Sequence, residues 1–313
     1  MKQGHRPTIT RREFLVRGIT ASAAFAAVSA VSAESAAASG GASIPTAVDM
    51  VPFGKTGLKI CRLGMGTGSN GGAHQRDLGQ EGFTKLVRYA YDQGIRYFDA
   101  ADAYRTHEML RTALNGLPRE TVWIQTKIRW SQEFFLDPLK HIDRFRKELG
   151  TDYIDSVLIH CVTTSTWPED LEPIRDALTE AKEKGWIRLK GTSAHGLPGL
   201  TASADCDWCD MNLVRVNPQG KHVDGKDGSW DEPGDLDKAM VEIRKMHQKG
   251  RGIIGMKMIG DGTFTNPLDR ERALRYAMAC KELNAVVIGF KATSEVDEAI
   301  QRMNAALRDL AQA

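Results

Sequence analysis

No run of apolar residues in this 313-residue sequence is both long and hydrophobic enough to favour a stable membrane-spanning helix, which sets aside a permanently embedded protein. Cysteine is scarce: Cys61, Cys161, Cys206, Cys209 and Cys280 are an odd number at no framework-like spacing, in a chain large enough to fold without covalent staples. Cys206-Asp-Trp-Cys209 is a lone CxxC with no second ligand pair, which argues against a zinc or iron–sulfur site; no metal is expected, and a local disulfide is the other reading. The compositional bias of disordered or fibrous chains is absent too, since 42% apolar and 26% charged residues supply a large globular core.

The first 33 residues stand apart. Thr10-Arg-Arg-Glu-Phe-Leu15 precedes an uncharged, Ala-rich run from Gly18 to Ala33, and Val31-Ser-Ala33 offers a small-residue cleavage site. The string resembles a twin-arginine (Tat) export signal. That resemblance implies recognition by the Tat export machinery, a periplasmic or otherwise exported location reached already folded, and no stable membrane insertion after cleavage. Removing residues 1–33 takes away five basic side chains and one acidic, leaving 37 against 39 and a net charge of −2. The positive balance belonged to the signal, so nucleic acid is not an expected partner. Residues 34–48, including Gly40-Gly-Ala-Ser-Ile-Pro-Thr46, read as a linker, and 49–313 as one domain.

Within that domain, short apolar or β-branched runs fall at about 60–67, 97–101, 122–127, 156–161, 187–193, 211–217, 252–259 and 284–290. Helical apolar spacing follows most of them, at 83–93, 138–149, 171–184, 235–248, 270–283 and 294–307, with glycine stops such as Gly94, Gly150, Gly185 and Gly250. Alternating strands and helices predict a parallel sheet, and eight units predict an α/β fold of the (β/α)8 TIM-barrel class. Val51–Ile60 looks like a hairpin, turning at Lys55–Gly57, that plugs the N-terminal end of the barrel. The long loop from Pro218 to Gly234 reads as a binding or lid element.

Reducing a carbonyl with hydride leaves an alkoxide, so the chemistry needs a proton donor, and a tyrosine beside a lysine held by a carboxylate meets that need. Asp99 and Tyr104 lie at the end of the second barrel strand, Lys127 at the end of the third and His160 at the end of the fourth, all opening on the face where barrel enzymes work.

With these residues in place the chain resembles the aldo-keto reductase family, whose D-x-A-x-x-Y string matches Asp99–Tyr104 and whose strand-end Lys and His match Lys127 and His160. Phe53-Gly-Lys-Thr-Gly-Leu-Lys59, Leu63-Gly-Met-Gly-Thr67, Glu148–Asp155 and Gly185–Gly191 have family-like counterparts in the same order. The resemblance implies hydride transfer between a nicotinamide cofactor, NADP with NAD left open, and a small-molecule carbonyl or alcohol. It assigns Tyr104 as general acid/base, Lys127 as the group that lowers its pKa, Asp99 as the partner of Lys127 and His160 as the residue orienting the carbonyl.

It further implies that Gly66 and Thr67 lie under the nicotinamide ribose, that Ser193 holds the carboxamide, and that Lys291 and Thr293 face the 2′-phosphate. Three positions depart from the family: Ala194 replaces an Asn, Arg215 a Gln, and Lys257 the aromatic that stacks on the nicotinamide, with Arg215 expected as a substitute donor. Glu298 falls about where an Arg is common. His195 is read either as facing the mouth or as capping a turn, and Trp130, Trp167 and Trp230 as loop aromatics near it. The last helix runs almost to Ala313, from which an open, shallow site is expected. Two other readings stay in play: a nucleotide-binding barrel without catalysis, and an exported Rossmann-type oxidoreductase using Gly66-Thr-Gly-Ser-Asn-Gly71 as its phosphate loop.

Overall fold

The structure, a computed structural model, describes residues 44–226 and 234–313. Residues 1–33, which the sequence likens to an export signal, and Trp230 lie outside the described residues. The folded unit begins at Ile44 rather than at residue 49. Ala47 is fully buried and its N–H donates to Asn304 Oδ1 at 2.7 Å, so the end of the expected linker is already part of the domain.

Two short strands, β1 (Met50–Pro52) and β2 (Lys59–Cys61), form the expected antiparallel hairpin. Thr56 Oγ1 bonds back to the Phe53 carbonyl across the turn, and Gly57 takes the left-handed φ of 77° that a side chain would resist. Eight parallel strands follow: β3 (Leu63–Gly66), β4 (Tyr97–Asp99), β5 (Trp123–Ile128), β6 (Ile154–Val162), β7 (Ile187–Ala194), β8 (Met211–Arg215), β9 (Gly252–Met256) and β10 (Ala285–Gly289). They close into a barrel in sequence order, with β10 pairing to β3. The closed sheet overturns the Rossmann reading, which requires an open one.

Each barrel strand is followed by a helix: α1 (Gly79–Asp92), α2 (His107–Leu114), α3 (Pro138–Leu149), α4 (Glu172–Glu183), α5 (Leu197–Asp205), α6 (Leu236–Gln248), α7 (Pro267–Ala279) and α8 (Thr293–Gln312). The caps are local chemistry. Asp137 accepts the Lys140 N–H at the start of α3, and Gly150 (φ 65°) ends it by donating to the Arg146 and Lys147 carbonyls. The helices α2 and α5 were not expected. The first has only two turns, and Leu-Pro-Gly-Leu-Thr-Ala-Ser-Ala-Asp in the second has little polar face to set against its apolar one.

Two apolar layers result, one between sheet and helices and one inside the barrel's lower end. The inner layer contains Phe53 from the hairpin turn, packed edge-to-face on Trp123 with ring centroids 5.4 Å apart. A Cβ on Gly252 would lie 2.5 Å from the Phe53 ring, so glycine at the start of β9 leaves room for the plug. Phe53→Ala should therefore cost about 3–5 kcal/mol, seen as a lower urea midpoint at an unchanged m-value.

Candidate active site

Alternate residues of a strand face the same way, which brings Tyr97 and Asp99, then Trp123, Gln125 and Lys127, then Ser156 and His160 to the barrel interior. Lys127 Nζ donates to Asp99 Oδ1 at 2.6 Å and to the Ala100 carbonyl at 2.9 Å. Gln125 Nε2 donates to the same Asp99 oxygen at 2.7 Å and to Tyr97 Oη at 2.9 Å. Ser156 donates to Gln125 Oε1 at 3.0 Å and accepts from Trp123 Nε1 at 3.2 Å. Burial pulls the Lys127 pKa below its ordinary value, and the Asp99 carboxylate works against that pull.

Tyr104 sits in the 3-10 turn Asp102–Tyr104 that follows β4. Its ring lies 4.8 Å from Lys127 Nζ and meets His160 edge-on, with centroids 5.5 Å apart. The phenol is pushed well above its usual value near 10, first by burial and then by Asp99, Cys161 and Asp261. This corrects the expectation that Lys127 lowers it: Asp99 already matches that ammonium, and desolvation prevails. His160 is held well below 6.5 by burial and by Lys127, His195, Arg129 and Lys257, so its imidazole is neutral at physiological pH. The site thus presents a protonated phenol beside a neutral imidazole.

The turn carrying Tyr104 is also braced from outside the barrel. Thr67 Oγ1 bonds the Asp99 carbonyl (3.0 Å) and Thr106 Oγ1 (2.8 Å). His107 bridges Thr126 and Glu148, each at 2.7 Å, and Arg144 joins Glu148 (2.6 Å) to Asp102 (2.8 Å). Asp102, His107 and Glu148 bring ligand-type atoms within 4.8 Å of one another, and the Arg144 guanidinium pairs with both carboxylates. A Cβ on Gly68 would fall 2.4 Å from the Tyr104 ring, so that glycine sets the ring's position from the β3 side.

A cleft of about 230 Å³ runs from Asp99 and Tyr104 past Gly66 and Gly68 to Gly289, Lys291 and Glu295. It ends at the start of α8, a helix of 20 residues whose N-terminal dipole favours anions. Beside Tyr104 the adjoining cavity wall includes Ser193, His195 and Lys257, and the buried Ser193 hydroxyl has no hydrogen-bond partner. An orphaned hydroxyl at one end of an elongated cleft and a cation at a helix N-terminus at the other fit a dinucleotide: Ser193 would hold its amide end and Lys291 its phosphate-bearing end.

The remaining expected residues divide. Gly66 and Lys257 are on the wall, Lys257 in a left-handed conformation (φ 63°) and 3.1 Å from Asp261. Thr67 is not; its hydroxyl is spent on the brace just described. Thr293, the first residue of α8, is exposed and away from the cleft wall. Arg215 is fully buried and turned to Asp224, with Nε 2.7 Å from Oδ1, where Asp224 also accepts the Gly196 N–H. This ties β8, the Gly196 turn and the loop after β8 together through Nε, while the buried Nη1 of Arg215 has no hydrogen-bond partner among the described residues. Glu298 is engaged by Arg270 and Arg302.

His195 does face the cavity, 3.5 Å from Cys161 Sγ, and burial drives its pKa down to about 3. Trp130 stands at the mouth, whereas Trp167 is buried against Trp208 as a packing anchor. All five cysteines are free thiols, Cys206 and Cys209 included. Sequence reasoning missed Gln125, Ser156 and Cys161. The first two were visible as interior positions two residues before Lys127 and four before His160. Cys161 reaches the wall next to His160 because β6 breaks register between Ile159 and Val162 and Cys161 takes φ 60°, a bulge that composition does not show.

A barrel with a Tyr–Lys–Asp–His cluster at its strand ends, and a cleft beside it that leads to a helix N-terminus, is the arrangement of an oxidoreductase that uses a nicotinamide cofactor. Comparison with known proteins agrees. The aldo/keto reductase family model matches residues 62–312, and the chain belongs to that family, whose members are oxidoreductases that use nicotinamide cofactors. It is 36% identical over 243 residues to a 9,11-endoperoxide prostaglandin H2 reductase of Trypanosoma cruzi, covering 70% of this chain and 81% of that one. An L-galactose dehydrogenase of Arabidopsis thaliana is 25% identical over 291 residues, 81% and 87% of the two chains. Probable aldo-keto reductase 1 of Glycine max matches at 29% over 185 residues, 51% of each chain, so the aligned part spans about half of that relative. Among solved structures, a putative aldo-keto reductase from Pseudomonas aeruginosa superposes with a TM-score of 0.68 at 22% identity, covering 84% of this chain and 97% of that one, which speaks to the fold.

Asp99→Asn should destabilise the fold by about 3–5 kcal/mol at neutral pH, because it strands a buried lysine. The folded-state pKa of Lys127 is already below its unfolded value of 10.5 and falls further without Asp99. The unfolded chain then binds the extra proton, so stability rises with pH and the penalty fades towards the unfolded value. Denaturation midpoints between neutral pH and about pH 10 check this.

Proposed function

We propose that this chain interconverts a small-molecule carbonyl and its alcohol with NADP(H), Tyr104 serving as general acid/base. The observation that carries the reading is the Tyr104 phenol, which makes no hydrogen bond among the described residues and faces the cavity between Lys127 and His160. The reduced cofactor supplies a hydride to the carbonyl carbon. His160, neutral and with no other hydrogen-bond partner, donates to the carbonyl oxygen and orients it. Tyr104 Oη gives its proton to that oxygen as the alkoxide forms, and the resulting phenolate is steadied by the Lys127 ammonium until solvent returns the proton. Lys291 supports the phosphorylated cofactor; the nearby Glu295 carboxylate already accepts the Lys291 N–H at 2.7 Å.

Tyr104→Phe should retain NADPH affinity, measured by quenching of protein fluorescence, while lowering aldehyde reduction by about 10²–10⁴-fold. With the phenol held above 10 and the imidazole below 6.5, the wild-type reduction rate should stay level from about pH 7 to 9. Alcohol oxidation, which needs the phenolate, should climb over the same range. Unchanged turnover in the Phe variant removes Tyr104 from the chemistry. A wild type that binds NADPH and turns over no carbonyl leaves a nucleotide-binding barrel.

The Tat-like segment supports a second part of the proposal: residues 1–33 direct export of the folded protein, which carries its cofactor with it and recycles it between two substrates. Mass spectrometry of nucleotide released from protein purified outside the cytoplasm should find NADP(H). Exported protein free of nucleotide counts against retention.

A further inference from the structure

A second hollow opens on the other side of His160, of about 350 Å³, lined by Ala103, Arg129, Trp130, Ser131, His160 and Cys161. The cations deeper in the site are matched: Lys127 by Asp99 and Lys257 by Asp261. Arg144, on the next turn of structure outward, is matched by Asp102 and Glu148. Arg129 differs. It is exposed, follows Lys127 by two residues so that it leaves the end of β5 at the mouth, and makes no ion pair or side-chain hydrogen bond among the described residues. Its charge is nevertheless felt inside: after burial, it is among the cations that hold the His160 pKa down, and it works against the rise that burial imposes on the Cys161 thiol.

Trp130, beside it, leaves 44% of a large apolar side chain open to solvent. That ring is not loose, because its Nε1 donates to the Cys161 carbonyl at 3.2 Å. A fixed aromatic face next to an unmatched guanidinium, both bordering the imidazole that faces the reacting group, is an arrangement for a planar or apolar body ending in an anion. Three guanidinium groups, Arg105, Arg129 and Arg144, and two carboxylates, Asp102 and Glu133, line the adjoining hollow, where Arg144 is paired with Asp102 and, beyond it, with Glu148.

We propose that this hollow is an anion-reading substrate subsite. Resting on the carbonyl reductase reading above, it selects carbonyl compounds that carry a carboxylate across an apolar or aromatic spacer, with the spacer on Trp130 and the carboxylate on Arg129. Arg129 is then a specificity-determining residue, a role that neither the proton transfer nor the cofactor cleft requires of it.

The test compares para-carboxybenzaldehyde with its neutral isostere, methyl para-formylbenzoate, as substrates of the full protein with NADPH. The wild type should prefer the acid over the ester in kcat/KM by about tenfold, mostly through KM, and the preference should shrink with added salt. Arg129→Gln should lose that preference and Arg129→Lys should keep part of it. Equal use of acid and ester by the wild type, or an undiminished preference in Arg129→Gln, overturns the subsite. Calorimetric titration with para-carboxybenzaldehyde separates this from failure of the reductase reading. Arg129-dependent binding without turnover sinks the chemistry and keeps the subsite, whereas absence of binding that depends on Arg129 sinks the subsite whatever the turnover.

Discussion

A lysine ammonium enclosed in a barrel is the constraint on which the rest of the site depends. Desolvation opposes the charge, and the structure answers with a carboxylate at 2.6 Å and a backbone carbonyl at 2.9 Å. The carboxylate must then be fixed as well. Gln125 holds it, Ser156 holds Gln125, and Trp123 donates to Ser156, so a line of hydrogen bonds runs from the reactive end towards the apolar plug around Phe53. Each polar member is buried and each has a partner, the condition under which an interior network adds rigidity instead of strain. The plug and the network are therefore coupled: the hairpin seals the end of the barrel from which water would otherwise reach the polar line.

Tyr104 is positioned from three directions by this scheme. Inside, its ring rests near Lys127 and His160. Outside, the Arg144–Asp102 contact and the Thr67–Thr106 bond hold the two ends of its turn. From above, Arg76 donates to its carbonyl at 2.5 Å, and Gly68 and Gly72 are places where a Cβ would press on Tyr104, the first on its ring and the second on its carbonyl and Cβ. A catalytic side chain on a loop acquires the precision of a strand residue only through such bracing.

Much of this was legible in the chain. The eight strands follow from β-branched runs, because parallel strands buried on both faces need them, six helices follow from amphipathic spacing, and four of them end beside the expected glycine stops. Asp99, Tyr104, Lys127 and His160 were legible because strand ends of a barrel converge, so residues far apart in sequence share one mouth. What was not legible depends on side-chain direction. Arg215 is drawn to Asp224, nine residues on, which no periodicity flags. Thr67 looked available and is consumed by Thr106 and the Asp99 carbonyl. Cys161 follows an inward residue and should point away; the bulge in β6 reverses that.

In the acid/base role proposed for Tyr104, its raised pKa looks at first like a handicap, and the chemistry shows why it is not one for reduction. Proton transfer to an alkoxide is downhill from any phenol, since an alkoxide is much the stronger base, so a lowered pKa adds little to the driving force in that direction. Protonation before the hydride arrives matters more, and burial secures it at every physiological pH. The cost falls on alcohol oxidation, where the phenolate must form beside Asp99 and Asp261. In the proposed chemistry Lys127 acts at that moment: the resting phenol is raised first by burial and then by Asp99, Cys161 and Asp261, but an anion on Tyr104 Oη next to the ammonium would turn a balanced pair into a net attraction. The same desolvation that opposes the charge of the lysine strengthens this attraction, so the enclosed cation that constrains the whole barrel has its largest effect when the proton has just left the tyrosine.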